Sequence, residues 1–464
     1  MSRPLPALAI SLTTLLALGS CTTVGPDYHK PTDNLPEAFK NANWPAAPAP
    51  GDPYAAFRDS ELNRLLHVAE KNNQDLAAAL ARIDQSRAVL GLSKADQTPT
   101  LVGDFAGAHQ LDSRNTNMPS GGAYRDYDAR LTLNYEVDLW GRIRRQVQQA
   151  EANLQASEAD YQAALLSLKG EVARNYLTLR SLDREMALLK QTADLRQQRL
   201  SLFQSRQKTG TSSGLDVARA ETEYQSTQAE IARLAQRRGE LENALAALTG
   251  EAASTFTLAT RVSDGHIPSI PGAVPSDLLR RRPDIVAAER RLAASNEGVG
   301  LAIATYLPRL TLTGTGGTSA LDASDLFDPA SVFYSAGAGL FTPIIQGGRV
   351  KADREQAEAR FREALANYRQ VMLEAIRDTE NALLGTRTLE QALASQRKAA
   401  EASQRTARLV RVRYDGGLDS LFEVTETERQ TLEQERLLTQ TELARQLAAV
   451  NLIQALGGEW KAAK

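Results

Sequence analysis

The chain repeats itself. Asp75 and Asp284, Gly91 and Gly300, Pro99 and Pro308, and Leu101 and Leu310 each lie 209 positions apart. Further on, Gly141 and Gly348, Tyr161 and Tyr368, Gly210 and Gly417, and Glu221 and Glu428 each lie 207 apart. An offset held this constantly marks a tandem duplication, with a two-residue length change between Leu101 and Gly141. The copies also end alike, Leu248-Thr249-Gly250-Glu251 answering Leu456-Gly457-Gly458-Glu459. The organisation read from this is repeat 1 over 61–256, a linker over 257–276 and repeat 2 over 277–464. Each repeat is expected to hold a first helix (62–97 and 277–306), two strands, a very long helix, a Gly-rich turn and a returning helix (214–249 and 421–456).

The long helices carry a strong physical signal. Between Gly141 and Thr209 there is no proline and one internal glycine, Gly170. At about 1.5 Å per residue such a helix reaches on the order of 100 Å. Val147, Leu154, Tyr161, Leu168, Leu182, Leu189 and Phe203 form one seven-spaced row, interrupted by Asn175 and Arg196. Leu165, Val172, Leu179, Met186, Ala193 and Leu200 form another. Two rows offset by three and four make a heptad seam. Phe361, Tyr368, Ala375, Ala382, Leu389 and Val410 repeat it more weakly. An array of this kind has no compact centre, so an isolated copy exposes seams and self-association is expected.

The strands alternate. Leu131, Leu133, Tyr135 and Val137 share one face, and Arg130, Thr132, Asn134 and Glu136 the other. Leu310 and Leu312 alternate with Thr311, Thr313 and Thr315, and Val332, Tyr334, Ala336, Ala338 and Leu340 form another such face. This suits a half-buried sheet, or a membrane barrel with a wet lumen. Outside the N-terminus no apolar run reaches the ~18 residues of a spanning helix, so a membrane crossing would have to be a closed barrel. Four strands are too few to close one; three copies supply twelve.

Residues 1–20 read as a secretory signal, with Arg3 before an apolar stretch from Ala7 to Leu18. It ends Leu18-Gly19-Ser20-Cys21, which resembles the bacterial lipoprotein box, and Cys21 is the chain's single cysteine. The resemblance implies cleavage before Cys21, acylation of that residue and, with Thr22 following, an outer-membrane destination. Residues 21–60, rich in Pro, Ala and polar residues, read as a lipidated, extended strap.

Composition excludes several functions. With 54 basic and 56 acidic residues the chain has no electrostatic footprint for nucleic acid. One Cys and the dispersed His29, His67, His109 and His266 cannot assemble a Cys/His metal site within one chain. Gly314-Thr315-Gly316-Gly317 lacks the lysine and helix of a phosphate loop. No nucleophile elbow appears. The reading is of no enzyme, no cofactor and no metal.

Three motifs make the resemblance specific. Val24-Gly25-Pro26-Asp27-Tyr28 follows the lipoprotein cysteine, Asp138-Leu139-Trp140-Gly141-Arg142 opens the first long helix, and Leu278-Leu279-Arg280-Arg281-Arg282-Pro283-Asp284-Ile285 opens the second repeat. With them, the mature chain resembles the outer-membrane lipoprotein branch (NodT/OprM-like) of the TolC-like outer-membrane factor family. The resemblance implies a mainly α protomer with a β part. Three protomers would form a twelve-stranded outer-membrane β-barrel continuous with a twelve-helix periplasmic barrel. It also implies a periplasmic adaptor (membrane fusion) protein and an inner-membrane pump of RND type as partners, outer-membrane lipid as surroundings, and passive conduction of small molecules outward. A periplasmic adaptor lipoprotein and a poreless coiled-coil scaffold are the rival readings. The first would need one hairpin rather than two, and the second leaves the alternating strands unexplained.

Function is expected at the helix turns. Glycines permit chain reversal, and Ser213 or Ser420 can cap the following helix, with Asp216 near its positive end. Turn chemistry alone accounts for these residues. The resemblance adds that Gly210, Thr211, Ser212, Ser213, Gly214, Gly416, Gly417, Leu418 and Asp419 form tips where the adaptor docks. It also places an entrance constriction at Phe422 and Glu426, with Glu423 one turn before Glu426. Phe422 and Glu426 are four apart and share a helix face. Solvated acids are the plainer explanation of the carboxylates.

Overall fold

A computed structural model describes residues 23–31, 39–41, 53–111, 113, 115, 123–262, 265–268 and 282–458. The signal segment, Cys21, Arg280 and Arg281, and part of the 257–276 linker lie outside the described residues. The elements run in order α1 (Ser60–Asn72), α2 (Gln74–Ala95), β1 (Thr100–Leu111), β2 (Ala123–Val137), α3 (Arg142–Lys208), α4 (Gly214–Leu248), α5 (Pro283–Ala304), β3 (Arg309–Ala320), β4 (Val332–Phe341), α6 (Arg349–Asp415) and α7 (Leu421–Ala455). The duplication is plain in the lengths: α3 and α6 each have 67 residues, α4 and α7 each 35.

Two compact units divide the chain. One gathers described residues of Met1–Thr32, Arg82–Glu158 and Ala287–Arg369; the other gathers those of Asp33–Ala81, Ala159–Val286 and Gln370–Lys464.

The first unit is built on a four-stranded antiparallel sheet in the order β1-β2-β3-β4. Register places Leu101 opposite Leu133, Leu133 opposite Gly314, Tyr135 opposite Leu312, and Leu312 opposite Ala338. Side chains of paired residues point the same way, so the apolar alternation of every strand falls on one face. That face is not covered: Leu101, Phe105, Leu131, Leu133, Tyr334 and Leu340 are all exposed. The opposite face carries Asp104, Arg130, Asn134, Glu136 and Thr313. All twelve residues of β1 are exposed, and among the described residues neither β1 nor β4 has a second partner.

The second unit has a dry centre. Leu62, Leu65 and Ala69 of α1 meet Val172, Tyr176 and Leu179 of α3, Leu245 of α4 and Ile453 of α7. The Tyr176 hydroxyl donates to Asp59 at 2.9 Å, and Asp59 also accepts the Glu61 and Leu62 amides that open α1. Burial and this hydrogen bond push the Tyr176 phenol up to about 12. The heptad seam is buried where expected, at Val172, Leu179, Met186, Ala193 and Leu200. The interrupting Arg196 is satisfied by Thr227 at 2.6 Å and the Glu223 carbonyl at 3.0 Å. The side chain of Asp183, fully buried, takes Arg180 at 2.9 Å and Arg238 at 2.7 Å. These arginines in turn hold the Ala259 and Leu258 carbonyls, which fastens the start of the inter-repeat linker to α3 and α4.

Two helix limits differ from the sequence expectation. The stretch 62–97 is two helices, because the Asn73 side chain accepts the Asp75 and Leu76 amides at 2.9 and 3.1 Å and restarts the helix as a cap. In repeat 2 the helix opens at Pro283 rather than near 277, as proline suits the first helical position but not the interior. The preceding Arg282 binds Asp284 through two nitrogens at 3.1 and 2.7 Å and donates to the Ala455 carbonyl at 3.1 Å, capping the end of α7.

Candidate channel entrance and docking turns

The two repeats reverse direction through matched turns. After α3 the Thr211 amide donates to the Arg206 carbonyl at 2.9 Å and the Gly210 amide to Gln207 at 3.0 Å. After α6 the Leu418 amide donates to Arg413 at 2.9 Å and the Gly417 amide to Tyr414 at 2.9 Å. Gly210 and Gly417 both take φ of +75°, the left-handed value that ends a helix without a Cβ clash.

The caps that follow are not identical. Ser213 accepts the Asp216 amide at 3.2 Å while Asp216 accepts the Ser213 amide at 3.1 Å, a reciprocal capping box at the start of α4. The Ser212 and Ser213 hydroxyls add bonds to Asp216 at 3.3 and 2.7 Å. These donors, the Ser213 hydroxyl first, hold the Asp216 carboxyl below its ordinary range. Ser420 accepts the Glu423 amide at 3.3 Å, and the neighbouring Asp419 is instead clamped by Arg413 at 2.8 and 3.0 Å. That guanidinium holds the Asp419 carboxyl low. Leu418 is left exposed at the turn.

Phe422 and Glu426 of α7 line one groove of about 610 Å³, together with Arg429, with Arg199 and Phe203 of α3, and with Arg219 of α4. Their shared helix face is therefore also a shared cavity wall. Phe422 is 70% exposed, high for an aromatic ring in a monomeric fold. Glu423 is exposed but does not line the groove. Glu426 accepts Arg429 at 3.1 and 2.6 Å, and this guanidinium lowers its carboxyl pKa.

Sequence reading missed two residues here. Arg429 was legible as the i+3 partner of an acid on one helix. Arg199 was not: its partners Glu223, Thr425 and Glu428 stand on two other helices. Its repeat equivalent, 207 positions on, is Thr406, so the duplication provides no second copy of this clasp. Among the described residues no group of His, Cys, Asp or Glu is arranged to hold a metal ion, and no helix is long and apolar enough to cross a membrane.

Comparison with known proteins agrees with this architecture. The outer membrane efflux protein family matches residues 65–251 and 274–458, one stretch in each repeat. The pyoverdine export outer membrane protein OpmQ of Pseudomonas putida is 32% identical over 469 residues, covering 99% of this chain and 96% of that protein. Outer membrane protein OprJ of Pseudomonas aeruginosa is 32% identical over 466 residues, covering 98% and 96%. The structure of the outer-membrane channel OprN superposes with a TM-score of 0.86 at 30% identity, covering 94% of this chain and 99% of that one. Doubled repeats, a one-sided apolar sheet and coiled-coil hairpins thus converge on one assignment: the chain belongs to the outer membrane efflux protein family, as a TolC-like outer-membrane channel protein of efflux systems.

Proposed function

We propose that three copies of this chain form a passive exit duct, each lending four strands to a closed twelve-stranded barrel and four helical segments to a periplasmic tunnel. The open sheet carries the argument. A lipid-facing sheet edge leaves backbone groups without partners in hydrocarbon, at a cost of several kcal/mol each, so β1 of one copy must pair with β4 of the next. The exposed apolar face then meets lipid, and the face with Asp104, Arg130 and Glu136 meets water.

In this reading Phe422 and Glu426 narrow the periplasmic entrance, with Glu423 nearby. Three Glu426–Arg429 pairs around an axis make a ring of alternating charge. The turns at Gly210–Gly214 and Gly416–Asp419 are the tips that a periplasmic adaptor grips. The adaptor connects the duct to an inner-membrane pump, most simply of RND type, which supplies the driving force, and the duct itself does no catalysis. Acylation of Cys21 adds a second attachment to the outer membrane. Native mass spectrometry in detergent and planar-bilayer conductance test this. A trimer with discrete current steps is expected; a stable monomer without channels overturns it.

A further inference from the structure

The contact between α3 and α5 is a template that the duplication applies twice. Arg145 of α3 and Glu297 of α5 are both buried and pair at 2.6 Å. Arg145 also donates to the Val24 and Gly25 carbonyls of the strap at 3.2 and 3.3 Å, and to Asp27, which is exposed. Glu297 is therefore its one buried carboxylate among the described residues. Gln149 donates to the Ala294 carbonyl at 3.3 Å, and Ala152 packs with Ala293 and Ala294. A Cβ added at Gly300 would stand 2.8 Å from the Arg145 Nε, so this guanidinium lies directly on the α5 backbone.

The equivalent faces elsewhere in the repeats are bare. The 207-residue offset carries Arg145 to Ala352 and Ala152 to Ala359, both on α6. The 209-residue offset carries Glu297 back to Ala88, Ala294 to Gln85 and Gly300 to Gly91, all on α2. Every one of these residues is exposed, and a Cβ at Gly91 would meet nothing within 4 Å. Helix α2 leads into β1 and α6 follows β4, the two edge strands of the sheet. Thr100, Asn134, Thr313 and Gly337 lie in one row across the strands, so α2 and α6 join the sheet at the same end. Pairing β1 of one copy with β4 of the next brings α2 of the first beside α6 of the second. That head-to-tail contact closes a ring.

What the offsets do not reproduce is charge. A neighbour's α2 in the place of α5 would set Ala88 against Arg145 and strand a buried guanidinium. A neighbour's α5 on α6 would bury Glu297 against Ala352. Either leaves an uncompensated charge inside the packing.

Resting on the trimeric reading, we propose that α2 of each copy docks on α6 of the next in the register of the α3–α5 contact, and that the Arg145–Glu297 pair keeps the repeats alternating around the ring. Helix α3 takes its own α5 and rejects a neighbour's α2, although both carry one apolar rhythm, Ile83 and Leu90 answering Leu292 and Val299. The occupant of the bare faces is thus a second copy, and one buried charge pair sorts the two junctions.

The test places cysteine pairs in the full chain and treats isolated outer membranes with a short bismaleimide. Gln85→Cys with Ala359→Cys reports the proposed junction. Gln85→Cys with Ala152→Cys reports the misordered one, in which repeat 1 of one copy meets repeat 1 of the next. The first pair should link copies up to the trimer on denaturing gels, and the second should leave them unlinked. Adding Arg145→Ala with Glu297→Ala should raise the misordered link about tenfold or more, because no buried charge is then stranded. Ala88→Glu with Ala352→Arg changes only exposed positions and gives both junctions the same charges, so it should produce the same rise with Arg145 and Glu297 intact. A native trimer that the first pair fails to link overturns the register. No misordered link in either charge variant overturns the sorting role. A stable monomer instead removes the trimeric reading, and this proposal with it.

Discussion

Arg199 on α3 and Glu428 on α7 are ion-paired across the two helical hairpins. Arg199 also donates to Thr425 of α7 at 3.1 Å and approaches Glu223 of α4 to 3.7 Å, so one guanidinium ties three helices beside the groove lined by Phe422 and Glu426. Its side chain is 12% exposed, which protects the pair from full solvent screening.

This clasp should hold the two hairpins together. Arg199→Ala and Glu428→Ala should each loosen the hairpins, and the double variant should fall short of their sum, since both remove the shared Arg199–Glu428 pair. A coupling of about 1 kcal/mol shifts an open–closed population roughly fivefold. Single-channel recording of the open fraction measures it. Strictly additive effects would reject the clasp.

The groove residues make a separate prediction. Phe422→Ala with Glu426→Ala should raise conductance and change ion selectivity, because both line the same wall. Arg429→Ala alone should strengthen cation preference, since it leaves Glu426 as an uncompensated acid. Unchanged conductance and selectivity in both variants would remove these residues from the constriction.

Acid should loosen the turns. The Asp216, Asp419 and Glu426 carboxyls all sit below their ordinary values of 3.8, 3.8 and 4.5. Groups with depressed folded pKa add stability above the unfolded value and lose it as pH falls through the folded one. Protection of the amides at 209–216 and 414–420 should therefore be intact at neutral pH and fall below about pH 4. Hydrogen exchange corrected for intrinsic rate checks this, and Asp216→Asn should abolish the dependence at the first turn only.

The linker anchor is a stability prediction. Asp183→Ala removes the buried carboxylate shared by Arg180 and Arg238, leaving Arg238 its Glu242 pair at 2.9 Å and Arg180 the Ala259 carbonyl at 2.8 Å, and breaking a buried pair from one side costs about 3–5 kcal/mol. A clear fall in thermal midpoint is expected, smaller for Asp183→Asn. Wild-type stability in the alanine variant would show that the site hydrates without penalty.

Much of this molecule is written locally. Helix and strand periods, the caps Ser213 and Ser420 and the left-handed Gly210 and Gly417 are all short-range patterns, and the duplication confirms each by stating it twice. The split at Asn73 was hidden because a helical apolar rhythm continues through it, while the decision lies in one side chain bonding its own backbone. What the sequence could not show is which distant groups meet. Arg199 finds Glu428, Arg145 gathers the strap, and Asp183 adds Arg238 to its own helix neighbour Arg180 only because packed helices bring residues far apart in the chain to one place. Periodicity therefore decides the parts and the faces they must bury, and tertiary packing alone decides which charges compensate one another when those faces close.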